Sequence, residues 1–328
     1  MKRRDMGIVT LLTEIGMIYL RPSMKPLPTL TVVVPVYNEA ESLPAFLPRL
    51  LEFSENHGWK VIFVDDGSRD DSGQMLESRA RPPAVRVIRH KVNRGYGGAL
   101  KTGLLAADTP YTVTIDGDGQ HDPEDILSLF QVAVERDADL VVGRRVPFHR
   151  SNWYREFGKS LIRLFTRMLM PLPIQDLNSG FKLYRTELVQ AYLHVCPDSM
   201  AFSDVIVLTF LNQKDLVLEH PIRVALRKKG KSAVSAYTAA ETVMEILNLV
   251  MLFNPLKIFL SLSVICFAFG IVWGTPILLL DRGVSVGAML AIVSGLIFFV
   301  IGLVASQLSS MRLGELATRR RKNKDRTS

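Results

Sequence analysis

The sequence predicts an α/β domain, a parallel sheet with helices on both faces, followed by two transmembrane helices. Three observations lead there. Short β-branched runs alternate with stretches of helical length. Polar clusters stand directly after three of those runs. Two long apolar runs close the chain.

The candidate strands are TLTVVVP (29–35), VIFVDDG (61–67), VRVIRH (85–90), YTVTID (111–116) and DLVVG (139–143). About 10–20 residues of helix-like sequence separate them, the spacing of strand–helix–strand units. In such sheets ligands bind beyond the carboxyl ends of the strands. PVYNE, DDGS and DGDGQ fall at three of those ends, so one site is expected to gather all three.

The apolar runs are residues 256–280, interrupted by Lys257 and Pro276, and residues 284–308, which carry no charge. About 20 helical residues cross a bilayer, so both are long enough. Asp281-Arg282-Gly283 between them makes a tight link, hence a hairpin with both outer ends on one side. The basic stretch RRRKNK after the second run predicts that this side, and with it the main domain, faces the cytoplasm. Residues 236–254 form an apolar-striped juxtamembrane helix, residues 255–310 hold the spans, and residues 311–328 a basic cytosolic tail. The expected location is therefore the cytoplasmic membrane.

Charge excludes a nucleic-acid binder. Of the formal net charge of +8, residues 1–25 carry +3 and residues 312–328 carry +5, leaving residues 26–311 neutral. Nucleic-acid binding normally puts basic charge on the folded domain. Two cysteines, Cys196 and Cys266, are too few for a disulfide framework and fit a cytosolic main body. Residues 1–28 form a lead with no assigned function. Met6–Leu20 is weakly apolar and too short to span, and Met24 offers a second start.

Asp116-Gly117-Asp118-Gly119-Gln120 carries the most chemistry. Alternate residues of an extended segment share one side, so Asp116, Asp118 and Gln120 converge. Two carboxylates and an amide oxygen form a hard-oxygen set suited to Mg²⁺ or Mn²⁺. The glycines admit a ligand close to the backbone. An EF-hand loop is excluded, because His121 and Leu127 stand where it requires glycine and glutamate. His121, Asp122, Pro123 and Glu124 read as a helix start. Asp65-Asp66-Gly67-Ser68 offers a carboxylate to a ribose or base, or is ordinary turn chemistry. Asn93-Arg94-Gly95-Tyr96-Gly97-Gly98-Ala99 matches neither nucleotide-binding glycine fingerprint, but its backbone could approach a nucleotide at the following helix start.

Residues 150–170 place Arg155, Lys159, Arg163 and Arg167 at intervals of four beside a stripe of Phe157, Leu161, Leu164 and Phe165. That is the pattern of an interfacial amphipathic helix on an anionic membrane. Arg227-Lys228-Lys229-Gly230-Lys231-Ser232 is a basic loop, either a phosphate site or a solvated face.

Together VVVPVYNEAESLP, VDDGSRD, NRGYGGALKTG, DGDGQHDPEDI, VVGRR, DLNSGFKLYR and RKKGKS, in this order, resemble the family-2 glycosyltransferases of GT-A fold. The resemblance is to the polyprenyl-phosphate, dolichyl-phosphate mannose synthase-like branch. It covers residues 29–235, and the two-span hairpin is similar to that of bacterial members. It implies a nucleotide-diphosphate sugar as donor, polyprenyl phosphate as acceptor, membrane lipids as surroundings and a cell-envelope glycan as destination. Packing of subunits through the spans would give a homo-oligomer.

Carried onto this chain, the resemblance puts Pro35, Tyr37, Glu39, Val64 and Asp66 beside the donor nucleotide. Asp116 and Asp118, flanking Gly117, match the D-x-D that holds the donor diphosphate through Mg²⁺ or Mn²⁺, with Gln120 as a further ligand. Arg145 and Arg227 match phosphate-binding arginines, and Asp176 the carboxylate proposed as catalytic. Asp118 and Arg145 complete the catalytic set. The chain departs from the pattern at Ala233, where many relatives have lysine; Lys231 or Lys229 stands nearby as a substitute. A glycosyltransferase acting on a lipid or polysaccharide hydroxyl, or a non-catalytic membrane adaptor, are the alternatives.

Overall fold

The computed structural model describes residues 29–145, 174–223, 251, 253–280 and 283–327. The expectations for residues 1–28, the amphipathic helix at 150–170, the basic loop with Arg227, and nearly all of 236–254 lie outside the described residues.

Seven strands form one sheet: β1 Leu30–Val36, β2 Lys60–Asp65, β3 Val85–Arg89, β4 Tyr111–Thr114, β5 Leu140–Arg145, β6 Lys182–Arg185 and β7 Val217–Ile222. Their order is β3-β2-β1-β4-β6-β5-β7. The first five fall on the runs read from the sequence. β6 and β7 are additional, and they correct the expectation of a parallel sheet: β6 pairs antiparallel with both β4 and β5. The other described pairings are parallel.

The helices are α1 Leu43–Asn56, α2 Ser72–Glu77, α3 Tyr96–Ala106, α4 Glu124–Glu135, α5 Thr186–Tyr192, α6 Phe202–Asn212, α7 Pro255–Leu279 and α8 Val286–Thr327. Alternate residues of each central strand enter opposite cores, which is why β1 is apolar at nearly every position. Val32 and Val34 pack with Phe46, Phe63 and Phe130 under α1 and α4. Val33 and Val64 pack with Leu100, Leu104 and Phe210 under α3 and α6. Trp59 and Tyr111 meet the Phe130 ring edge-on at 6.1 and 5.5 Å.

α7 and α8 lie antiparallel. The Ser263 hydroxyl donates to the Gly295 carbonyl at 2.8 Å. A Cβ on Gly270 would stand 3.0 Å from the Ala288 carbonyl, so the backbones approach closely there. Pro255–Leu279 and Val286–Met311 have mean hydropathies of 2.2 and 2.7, yet only 11% and 17% of their most apolar windows are buried. Both helices are long and apolar enough to cross a membrane, and their exposure is unlike that of core helices. The expected tail is helical: α8 continues past the span to Thr327, and it contacts α5 of the sheet domain.

Phe130→Ala removes a fully buried ring that both neighbouring aromatics touch. It should destabilise the sheet domain by about 3–5 kcal/mol, read as a lowered denaturation midpoint of the detergent-solubilised chain.

Candidate active site

The site is assembled at the carboxyl ends of β1, β2, β4 and β5. After β1 the chain turns through Asn38, whose φ of 53° is a left-handed conformation that asparagine tolerates. Its N–H donates to the Ser68 hydroxyl at 3.1 Å, and its side-chain oxygen accepts the Arg69 N–H at 2.8 Å. The Glu39 N–H donates to the Ser72 hydroxyl at 2.8 Å. These bonds zip the loop after β1 to the loop after β2. They leave Tyr37 42% exposed. Tyr37, Ser68, Arg69, Arg89, Lys91 and Asn93 stand among the walls of a cavity of about 560 Å³.

Three of the residues placed beside the nucleotide are buried. Val64 is fully buried between the sheet and α3, where it faces Gly103, and presents no side-chain surface to a ligand. Asp66 is also buried, and both its oxygens are engaged. Oδ1 meets His90 Nδ1 at 2.6 Å and accepts the Arg94 N–H at 2.9 Å, while Oδ2 accepts the Gly95 N–H at 2.9 Å. Asp66 thus fixes the glycine-rich loop. Pro35 is buried too, and its carbonyl abuts Gly117. Glu39 accepts the Ser42 hydroxyl at 2.7 Å.

The glycine-rich loop packs closely against another segment of the chain. Its glycines make room for the backbone of residues 197–199: a Cβ on Gly95 would stand 2.5 Å from the Asp198 carbonyl, and one on Gly97 2.8 Å from the Ser199 carbonyl. The Gly98 N–H donates to the Asp198 carbonyl at 3.2 Å, and Lys101 Nζ pairs with the Asp198 carboxylate at 2.6 Å.

β4 ends at Thr114 and delivers Asp116. Its Oδ1 accepts the Tyr96 hydroxyl at 2.9 Å, and its Oδ2 lies 3.9 Å from His121 Nε2. Burial raises the Asp116 carboxyl above the ordinary range, against the pull of His121 and the Tyr96 hydrogen bond. Burial likewise raises the Tyr96 phenol, reinforced by the Asp116 charge, so it remains a donor. Asp118 is part-exposed; it accepts the Gln120 N–H at 3.1 Å and the Gln120 side-chain amide at 2.5 Å. Gln120 therefore orients Asp118 in this arrangement. Among the described residues, no group of three or more His, Cys, Asp or Glu side chains converges as a metal cluster. A pair of carboxylates nevertheless suits Mg²⁺ or Mn²⁺ bound together with a diphosphate, whose oxygens fill the remaining positions.

Arg145, the last residue of β5, forms a bidentate pair with Asp176: Nε to Oδ2 at 2.9 Å and Nη2 to Oδ1 at 2.8 Å, with its N–H on Oδ2 at 3.0 Å. Burial works against Asp176 ionising, but the Arg145 hydrogen bond and charge prevail and hold it below the usual carboxylate range. The Asp176 and Gln175 N–H groups both donate to Glu219 of β7, at 2.9 and 2.7 Å.

Sequence reasoning missed Tyr96, His121 and Lys182 as site residues. His121 is buried and stacks on Phe181 with centroids 5.2 Å apart. Lys182 is 1% exposed and donates to the Ser179 carbonyl. Burial lowers its ammonium to about 8, while Asp204, Asp176 and Asp116 pull the other way. A lysine inside an otherwise strand-like KLYR run was the available signal.

The model for glycosyl transferase family 2 matches residues 31–193, and that for the GtrB C-terminal hairpin matches residues 254–311. The undecaprenyl-phosphate mannosyltransferase of Micrococcus luteus is 31% identical over 224 residues, covering 65% of this chain and 90% of its own length. The undecaprenyl-phosphate 4-deoxy-4-formamido-L-arabinose transferase of Sodalis glossinidius is 31% identical over 209 residues, so this chain spans 62% of that relative's length. Glucosyl-3-phosphoglycerate synthase from Mycobacterium tuberculosis, in complex with Mn²⁺, uridine diphosphate and phosphoglyceric acid, superposes with a TM-score of 0.55 at 17% identity. The superposition covers 68% of this chain and 78% of that one, a likeness of fold.

Because its folded value lies below the unfolded one, Asp176 contributes stability above pH about 4, and that contribution is lost as pH falls through the folded value. Asp176→Asn should cost about 1 kcal/mol near pH 6, the scale of a pair with one half-exposed partner. The gap from the parent chain should close below pH 4 in melts run from pH 3 to 7.

Proposed function

We propose that this chain, which belongs to glycosyl transferase family 2, transfers a sugar from a nucleotide-diphosphate sugar to a polyprenyl phosphate at a membrane face. The observation that carries the proposal is the Asp116–Asp118 pair after β4, on the same sheet whose β1, β2 and β3 ends border an open cavity, in a chain that continues into an exposed apolar hairpin. The undecaprenyl-phosphate relatives support the acceptor class.

The donor's nucleoside enters the cavity beside Tyr37, whose exposed ring offers a stacking face. Its diphosphate lies toward Asp116 and Asp118, which would hold Mg²⁺ or Mn²⁺ with Gln120 close by. When bound, that ion supplies Lewis-acid stabilisation of the leaving diphosphate. Arg145 adds fixed positive charge next to Asp176. Arg227 is proposed as a second phosphate contact.

Breaking the anomeric bond builds positive charge on the sugar. The acceptor phosphate is already ionised near neutral pH, since a phosphomonoester's second pKa is about 6. A strong base is therefore unnecessary, which agrees with an Asp176 held below the usual carboxylate range. Asp176, oriented by Arg145 and Glu219, positions the acceptor or the sugar ring. In-line attack by the acceptor oxygen inverts the anomeric centre.

The acceptor's tail stays in the bilayer while its phosphate reaches the site. In this reading both outer ends of the hairpin share one side, and the basic residues after the second apolar helix support a cytoplasmic side for them.

The test is the detergent-purified chain with polyprenyl phosphate, Mn²⁺ or Mg²⁺ and a panel of nucleotide sugars, read by mass spectrometry of the lipid. One chelator-sensitive polyprenyl-phosphate sugar is expected, and Asp118→Ala should cut its formation about 100-fold or more. Product only with lipids bearing a free sugar hydroxyl would replace the phosphate acceptor by a hydroxyl one.

A further inference from the structure

We infer that Tyr96 is a positioning residue which fixes the orientation of the Asp116 carboxylate, so that the glycine-rich loop sets the affinity of the Asp116–Asp118 pair for a divalent cation. This rests on the metal-binding role proposed above for those two carboxylates.

Tyr96 is the first residue of α3 and follows Gly95, whose φ of 88° few other residues adopt. Its backbone is held from two directions. On one side Asp66 accepts the Arg94 and Gly95 N–H groups at 2.9 Å each. On the other, Gly95, Gly97 and Gly98 lie against the backbone of residues 197–199, with Gly98 N–H bonded to the Asp198 carbonyl at 3.2 Å. A tyrosine anchored at its backbone this way delivers its hydroxyl to one place, and that place is Asp116 Oδ1, 2.9 Å away.

Gly180 confines both oxygens of the carboxylate as well. A Cβ on Gly180 would stand 2.6 Å from Asp116 Oδ1 and 2.7 Å from the Tyr96 hydroxyl. Gly180 is itself tied down, since the Thr114 hydroxyl donates to its carbonyl at 2.8 Å. Tyr96, Asp116 and Gly180 thus form one closed contact. Oδ1 is committed to the phenol, and Oδ2 is left facing His121. A carboxylate already oriented loses less freedom when it takes up a cation, and partners that orient a ligating side chain typically account for about 10–100-fold in metal affinity.

The test follows Mn²⁺ binding to the full-length chain in detergent by electron paramagnetic resonance, with Mn²⁺ alone and with Mn²⁺ plus uridine diphosphate. Tyr96→Phe keeps the ring and removes the hydroxyl. It should weaken Mn²⁺ binding about 10-fold and alter the spectrum of the bound ion, while the melting temperature without Mn²⁺ stays near that of the parent chain. Gly180→Ala crowds the Tyr96 hydroxyl together with the same carboxylate and should also weaken binding; it carries the test if Tyr96→Phe fails to fold. Asp118→Asn separates the two levels. If it binds Mn²⁺ like the parent, the metal role itself fails and the inference falls with it. If it abolishes binding while Tyr96→Phe and Gly180→Ala bind with parental affinity and spectrum, the metal role stands and the inference is overturned.

Discussion

β6 runs against its neighbours in the sheet, and its pairing with β4 sets Lys182 opposite Thr114 and Leu183 opposite Val113. Much of the site depends on that register. It brings the loop before β6 back over the end of β4, so that Gly180 closes on Asp116 and the Thr114 hydroxyl reaches the Gly180 carbonyl. The same pairing, continued through β5, sets Asp176 beside Arg145. A slip of one residue would turn every β6 side chain to the other face of the sheet. Leu183 would leave the core under α1 and α4, and Lys182 would enter it. Burial of Leu183 and Tyr184 in opposite cores therefore fixes the geometry of Asp116 without either residue touching the carboxylate.

The parts of the fold that could be read directly were those where a strand is buried on both faces. β1, β2 and β4 are nearly continuous apolar or β-branched runs, the pattern such burial requires. β6 escapes that pattern because it is short and carries Lys182 and Arg185. β7 escapes it because it lies at the sheet edge, where VLEHPI has a half-buried face and tolerates Pro221. The site was legible to the same degree. Asp116, Asp118 and Gln120 could be grouped by alternation within one segment. The contact of NRGYGG with residues 197–199 joins positions about a hundred apart, and no local pattern announces it. Val64 and Asp66 stand at a strand end of the candidate site in sequence, and burial commits the side chain of one to packing and of the other to holding a loop.

The charges around Asp116 form an acidic set. Asp116, Asp118, Asp176 and Asp204 stand against Arg145 and the buried Lys182, so carboxylates outnumber the cations that pair with them. Isolated charges of this kind are costly to bury, and mutual pairing is what makes them tolerable. It also constrains what the site accepts. A diphosphate alone would add negative charge beside three carboxylates. A diphosphate accompanied by a divalent ion adds almost no net charge, so the excess of carboxylates favours the pair over the bare anion.

The hairpin is joined to this centre by packing as well as by the chain. α8 contacts α5, which follows directly on β6, and Phe253, just ahead of α7, is buried in the core beneath α3 and α6. The distance between the apolar surface of the hairpin and Asp116 is thus set by side-chain packing, which is stiff, rather than by a tether, which is not. The proposed lipid acceptor, with its phosphate at a fixed carboxylate pair and its tail in hydrocarbon, would need that stiffness. A free tether would make each encounter repay the entropy of locating the bilayer, whereas a braced domain would hold its site at one height above the proposed membrane.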